Sequence, residues 1–76
     1  MESGQLRVFR GYLSSLSDDL LESVTEDYVW LSGLKFGSRR SADFLGRREC
    51  CREECVRRGA PQLYSEAERG IWPSAA

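Results

Sequence analysis

Histidine is missing from all 76 residues, so the side chain that most readily moves a proton near neutral pH is absent and imidazole-based triads are excluded. There is no excess of one charge. Eleven basic and twelve acidic residues leave a formal net charge of −1, which sets up no overall field to gather nucleic acid or an anionic membrane. Long apolar runs are also lacking, and nothing approaches the ~20 residues that span a bilayer. The opening Met1-Glu2-Ser3-Gly4-Gln5 has neither the basic start nor the apolar stretch of a secretory leader. These absences lead us to expect a cytoplasmic chain with no membrane partner. Cysteine is odd in number, and Cys50, Cys51 and Cys55 fall within six positions, which is not how a secreted disulfide framework is laid out. Reduced thiols are expected.

What is present suffices for one small folded unit. Hydrophobic residues make up 41% of the chain, with two Trp, three Tyr and three Phe, more than disordered chains carry. A chain this short only just buries a core that outweighs its ordering entropy. We therefore expect residues 1–76 to form a single helical domain, with about 1–4 and 73–76 mobile, supported by homo-oligomerisation.

The periodicity is helical throughout. Leu6, Phe9, Leu13 and Leu16 recur at steps of three and four, with Val8 and Tyr12 widening the stripe and Gly11 weakening the helix. Ser17 followed by Asp18 and Asp19 provides an N-cap and two first-turn carboxylates, and Leu16 and Leu21 stand at the positions of a hydrophobic staple. Leu20, Leu21, Val24, Tyr28, Leu31 and Leu34 then form a predicted core stripe, broadened by Val29 and Trp30, which Gly33 and Gly37 bring to an end. A third helix follows, capped by Ser38 or Ser41 and laced by the opposite charges Arg39/Asp43, Asp43/Arg47, Glu53/Arg57 and Glu54/Arg58 at i, i+4. Gly59 closes it, and Pro61 opens a short fourth helix carrying Leu63, Tyr64 and Ala67 and ending at Gly70. No alternating run long enough for a strand occurs. The expected fold class is all-α, a bundle of three main helices plus a short fourth, with neighbours antiparallel.

Three groups of residues invite a functional reading. On a helical wheel Cys51 and Cys55 share a line with Phe44 while Cys50 points away, so Cys51 and Cys55 are expected to pack as small apolar residues. A thiol switch at an exposed Cys50 beside Arg47 and Arg48 is the sharper alternative, together with a metal site completed by Glu54 or a second chain. A fourth cysteine and any histidine are missing, so no metal or cofactor is expected. Charge divides unevenly: residues 1–37 net −3 and residues 38–58 net +3. Either the acidic and basic helices are neighbours, or Arg39, Arg40, Arg47, Arg48, Arg57 and Arg58 meet nucleic acid, against repulsion from Glu49, Glu53 and Glu54. Trp72, just before Pro73, is either a plug folded back on the bundle or an anchor for a partner.

No activated pair of side chains emerges, so a non-enzymatic protein-interaction module is the leading expectation: a regulator, an inhibitor or a self-associating subunit. Trp30, Arg47, Arg48 and Trp72 are its candidate contact residues, and a protein partner its expected ligand. Nucleic-acid binding through the third helix is the rival, and a thiol or metal sensor the third reading.

Overall fold

The computed structural model describes residues 4–34 and 38–71, with only the backbone described for 38–41. The described residues form a small, compact, all-helical fold of four helices: α1 (Gly4–Ser14), α2 (Asp18–Gly33), α3 (Ser38–Arg57) and α4 (Gln62–Ile71). No strand occurs among the described residues. Gly4, expected in a mobile tail, opens α1, whereas residues 1–3 and 72–76 lie outside the described part. The fourth helix is not the minor element expected, since its 10 residues nearly match the 11 of α1.

Local chemistry explains the boundaries. Ser14 and Ser15 turn their hydroxyls back to the carbonyls of Gly11 and Tyr12, satisfying acceptors that the end of α1 leaves open. Ser17 then caps α2 in extended conformation, its Oγ accepting from the Leu20 N–H at 3.3 Å. At the far end of α2 the expected glycine stop works differently. Gly33 stays helical, and the chain leaves through an extended Leu34 whose N–H reaches the Leu31 carbonyl. Gly59 does adopt the left-handed conformation, at φ 73°. Its N–H bonds to the Val56 carbonyl and that of Ala60 to the Cys55 carbonyl, the paired bonds of a Schellman ending. Pro61 directly precedes α4, and its carbonyl accepts from Ser65, so the missing proline N–H costs the helix nothing. Gly70, expected to stop α4, lies inside it.

The core joins Leu13 of α1, Leu21 of α2 and all three cysteines of α3, with Leu6, Phe9, Leu16, Val24, Tyr28, Leu63 and Tyr64 packed around them. Val29, Thr25 and Ala67 are buried as well. The second helix is rotated from the expected stripe: its fully buried line is Leu21, Thr25 and Val29, one turn apart each, while Leu20 is 55% and Trp30 49% exposed. Thr25 is tolerated inside because its hydroxyl donates to the Leu21 carbonyl at 2.7 Å.

The arrangement places α3 at the centre. It packs against α1, α2 and, more lightly, α4; α2 packs also against α4, and Phe9 of α1 meets Tyr28 of α2 edge to face, with ring centroids 5.2 Å apart.

Candidate functional site

The cysteines are placed by that central position. Cys50, expected to face away from the core and to be exposed, is 2% exposed, and Cys51 and Cys55 are fully buried. A helix with neighbours on two sides buries a wider arc than one stripe, so positions 50 and 51, about 100° apart, both turn inward. None of the three forms a disulfide. Burial pushes the Cys51 thiol up to about 12, outweighing its hydrogen bond with Thr25, and raises Cys55 for the same reason. Both shifts favour the neutral thiol over the thiolate, the opposite of a low-pKa redox cysteine. Among the described residues no group of three or more His, Cys, Asp or Glu side chains has the geometry to hold a metal ion.

The arginines divide sharply. Arg48, expected at a contact surface, reaches inward between helices. Its Nε donates to the Tyr64 hydroxyl at 2.7 Å, Nη1 to Ser32 at 3.1 Å and Nη2 to Glu68 at 2.5 Å, so one guanidinium ties α3 to both α2 and α4. Arg58 is similarly committed: it donates to Glu54 at 2.7 Å, to Asp18 at 2.9 Å and to the Leu13 carbonyl at 2.8 Å. Glu54 is only 7% exposed, and its carboxylate is held below the usual range, chiefly by its hydrogen bond from Arg57 and, against the cost of burial, by that from Arg58. Glu53 pairs across to Arg10 of α1 at 3.1 Å rather than with Arg57, and Arg52 pairs with Glu49. Of the expected i, i+4 pairs, Glu54–Arg58 forms, whereas Asp43 and Arg47 are not paired. Arg39 and Arg40 have no described side chains, and Trp72 lies outside the described residues.

Arg47 goes elsewhere. Its guanidinium lies over the Phe9 ring, 5.9 Å from the centroid, a cation–π placement that turns it away from Asp43. There it lines an open groove of about 690 Å³, whose walls are Val8, Phe9 and Tyr12 of α1 and Tyr28 of α2. Val8 is 74% and Tyr12 49% exposed. Large apolar side chains standing together in solvent at a concave surface are the usual mark of an interaction site rather than of folding. A smaller hollow of about 70 Å³, lined by Leu6, Asp43 and Gly46 among others, adjoins it through the shared Gln5 and Arg47.

A second depression, of about 330 Å³, lies between α1 and α3, with Cys50 and Leu13 on its floor and Arg10, Glu53, Glu54 and Arg57 at its rim. Its charges are engaged with one another, Arg10 with Glu53 and Arg57 with Glu54, which leaves it a structural seam.

The aromatic groove was missed at the level of sequence, although α1 carried its signal. Leu6, Leu13, Phe9, Tyr12 and Val8 span about 160° of the helix, more than one neighbouring helix covers. The excess at Val8 and Tyr12 is what lines the groove. Of the residues singled out earlier, Arg47 belongs to it, Trp30 stands half exposed on α2, and Arg48 is a partly buried tie between helices. Comparison with known proteins finds no matching family model, and no similar curated protein or solved structure.

Proposed function

We propose that the chain is a small interaction module that binds another polypeptide through the groove between α1 and α2, without turning over a substrate. The observation that carries this reading is the groove itself: Val8, Phe9, Tyr12 and Tyr28 line it with aliphatic and aromatic surface, with the Arg47 cation at their edge. Aromatic side chains and arginine in a concave site are the residues that dominate the energetics of protein interfaces. Nothing in the folding of α1 demands Val8 at a position three-quarters exposed, where a polar residue costs the fold little.

Nucleic-acid binding through α3 draws less support. Arg48, Arg57 and Arg58 are each bonded to a carboxylate, and freeing them for phosphate would break contacts between or within the helices. The thiol-sensor reading is weakened by the burial of all three cysteines.

The test is site-specific cross-linking in the native host. A benzophenone amino acid placed at position 12 should yield discrete protein adducts that disappear on adding Val8→Glu, whereas the same group at exposed position 66 on α4 should not. Equal yields at both positions would remove the reading.

A further inference from the structure

The groove has a self-complementary edge. Asp43 and Arg47 carry opposite charges one turn apart on α3, yet no ion pair joins them, because Arg47 is drawn over Phe9 while Asp43 stands exposed. Both border the continuous strip made by the groove and the small hollow beside it, which share Gln5 and Arg47. Among the described residues that strip therefore carries one anion, Asp43, one cation, Arg47, and an apolar stretch of Val8, Phe9 and Tyr12.

We infer that the occupant of the groove is a second copy of this chain, docked about a two-fold axis, with Asp43 of each copy facing Arg47 of the other. The inference rests on the interaction reading given above and names its partner. Two-fold pairing brings the same patch together twice, so a patch suits it when its charges are arranged as a plus and a minus that exchange across the axis. A strip of one sign would repel its copy. Val8, at 74% exposure, projects from the wall of the groove rather than lying on its floor, so each copy offers a ridge as well as a hollow. The core composition points the same way: among the described residues seven apolar side chains are buried, of which three are cysteines and one an alanine, all small.

Size sets the strength. The strip follows α1 from Gly4 to Tyr12, about 12 Å of helix, and covers well under the ~800 Å² per partner of a standard stable interface. The dimer is accordingly weak and concentration dependent, with half-association in the range of about 10 μM to about 1 mM.

Sedimentation equilibrium on the purified chain over that range tests it. The wild type should move from monomer to dimer mass. Arg47→Glu should weaken association roughly tenfold, by setting two carboxylates against each other at both ends of the interface, and Asp43→Arg combined with Arg47→Glu should recover most of the loss. Val8→Glu, a change at an exposed position, should abolish association while the helical circular dichroism is kept. A monomer at about 1 mM, or a double charge reversal no better than Arg47→Glu, overturns the dimer. Cross-links from position 12 to a different protein would then leave the interaction reading standing without it.

Discussion

Replacing Arg58 by Ala probes the node that joins three helices at one end of the molecule. Arg58 is 16% exposed and donates to Glu54 of α3, to Asp18 at the start of α2 and to the Leu13 carbonyl near the end of α1. The Asp18 contact counts for little, because that carboxylate is 63% exposed and screened. The bond to the buried Glu54 is charge assisted and contributes about 2 kcal/mol, though Glu54 keeps Arg57 and is not stranded. The Leu13 carbonyl retains the Leu16 N–H, so losing its second donor costs about 1 kcal/mol. The expected sum, about 3 kcal/mol, compares with a total stability of about 4–11 kcal/mol for a domain of this length. It should lower Tm by about 12–24 °C, read by circular dichroism at 222 nm during thermal unfolding. Arg52→Ala, which removes a half-exposed pair with Glu49, is the matched control and should leave Tm where it is. A double-mutant cycle with Glu54→Gln should show a coupling of about 1 kcal/mol or more. If Arg58→Ala melts with Arg52→Ala, or the cycle shows no coupling, the node does not hold the helices as described.

Two further outcomes follow from the buried groups. The Glu54 carboxylate is held below its ordinary value by Arg57 and Arg58, so its contribution is fully present above about pH 4.5 and is lost as pH falls through the lowered native value; the stability gap between wild type and Glu54→Gln should narrow on acidification below pH 4.5, and a gap that widens there would contradict the sign. Cys51, with its thiol pushed up to about 12, and Cys55 should resist an aromatic disulfide reagent at pH 8 in the native state and react once denaturant opens the core, whereas prompt native labelling, located by mass spectrometry, would show that the core is not closed over them.

How far the sequence could be read depended on whether a signal was local. Ser17 and Gly59 announce helix ends through groups within a turn of themselves, and both do so in the structure. Gly33 shows the limit: a glycine permits a left-handed stop without compelling one, and here an extended Leu34 ends the helix instead. Rotations about the helix axes were less legible. In α2 the largest apolar residues suggested a stripe through Leu20, but Thr25, whose hydroxyl is satisfied within its own helix, takes the buried line and leaves Leu20 and Trp30 outside. An intrahelical hydrogen bond makes threonine look apolar to its neighbours, and composition does not reveal that.

The sequence by itself determined that the chain is helical, where most of its helices begin and end, and that imidazole chemistry is excluded, because periodicity, capping and composition act within a few residues. Only the tertiary structure decided that Arg48 and Arg58 are internal ties, that Cys50 is buried with its neighbours, and that Arg47 and Val8 share a groove. Each of those outcomes turns on which helix lies beside α3 and at what rotation. That is settled by packing between segments far apart in the chain, and no local pattern encodes it.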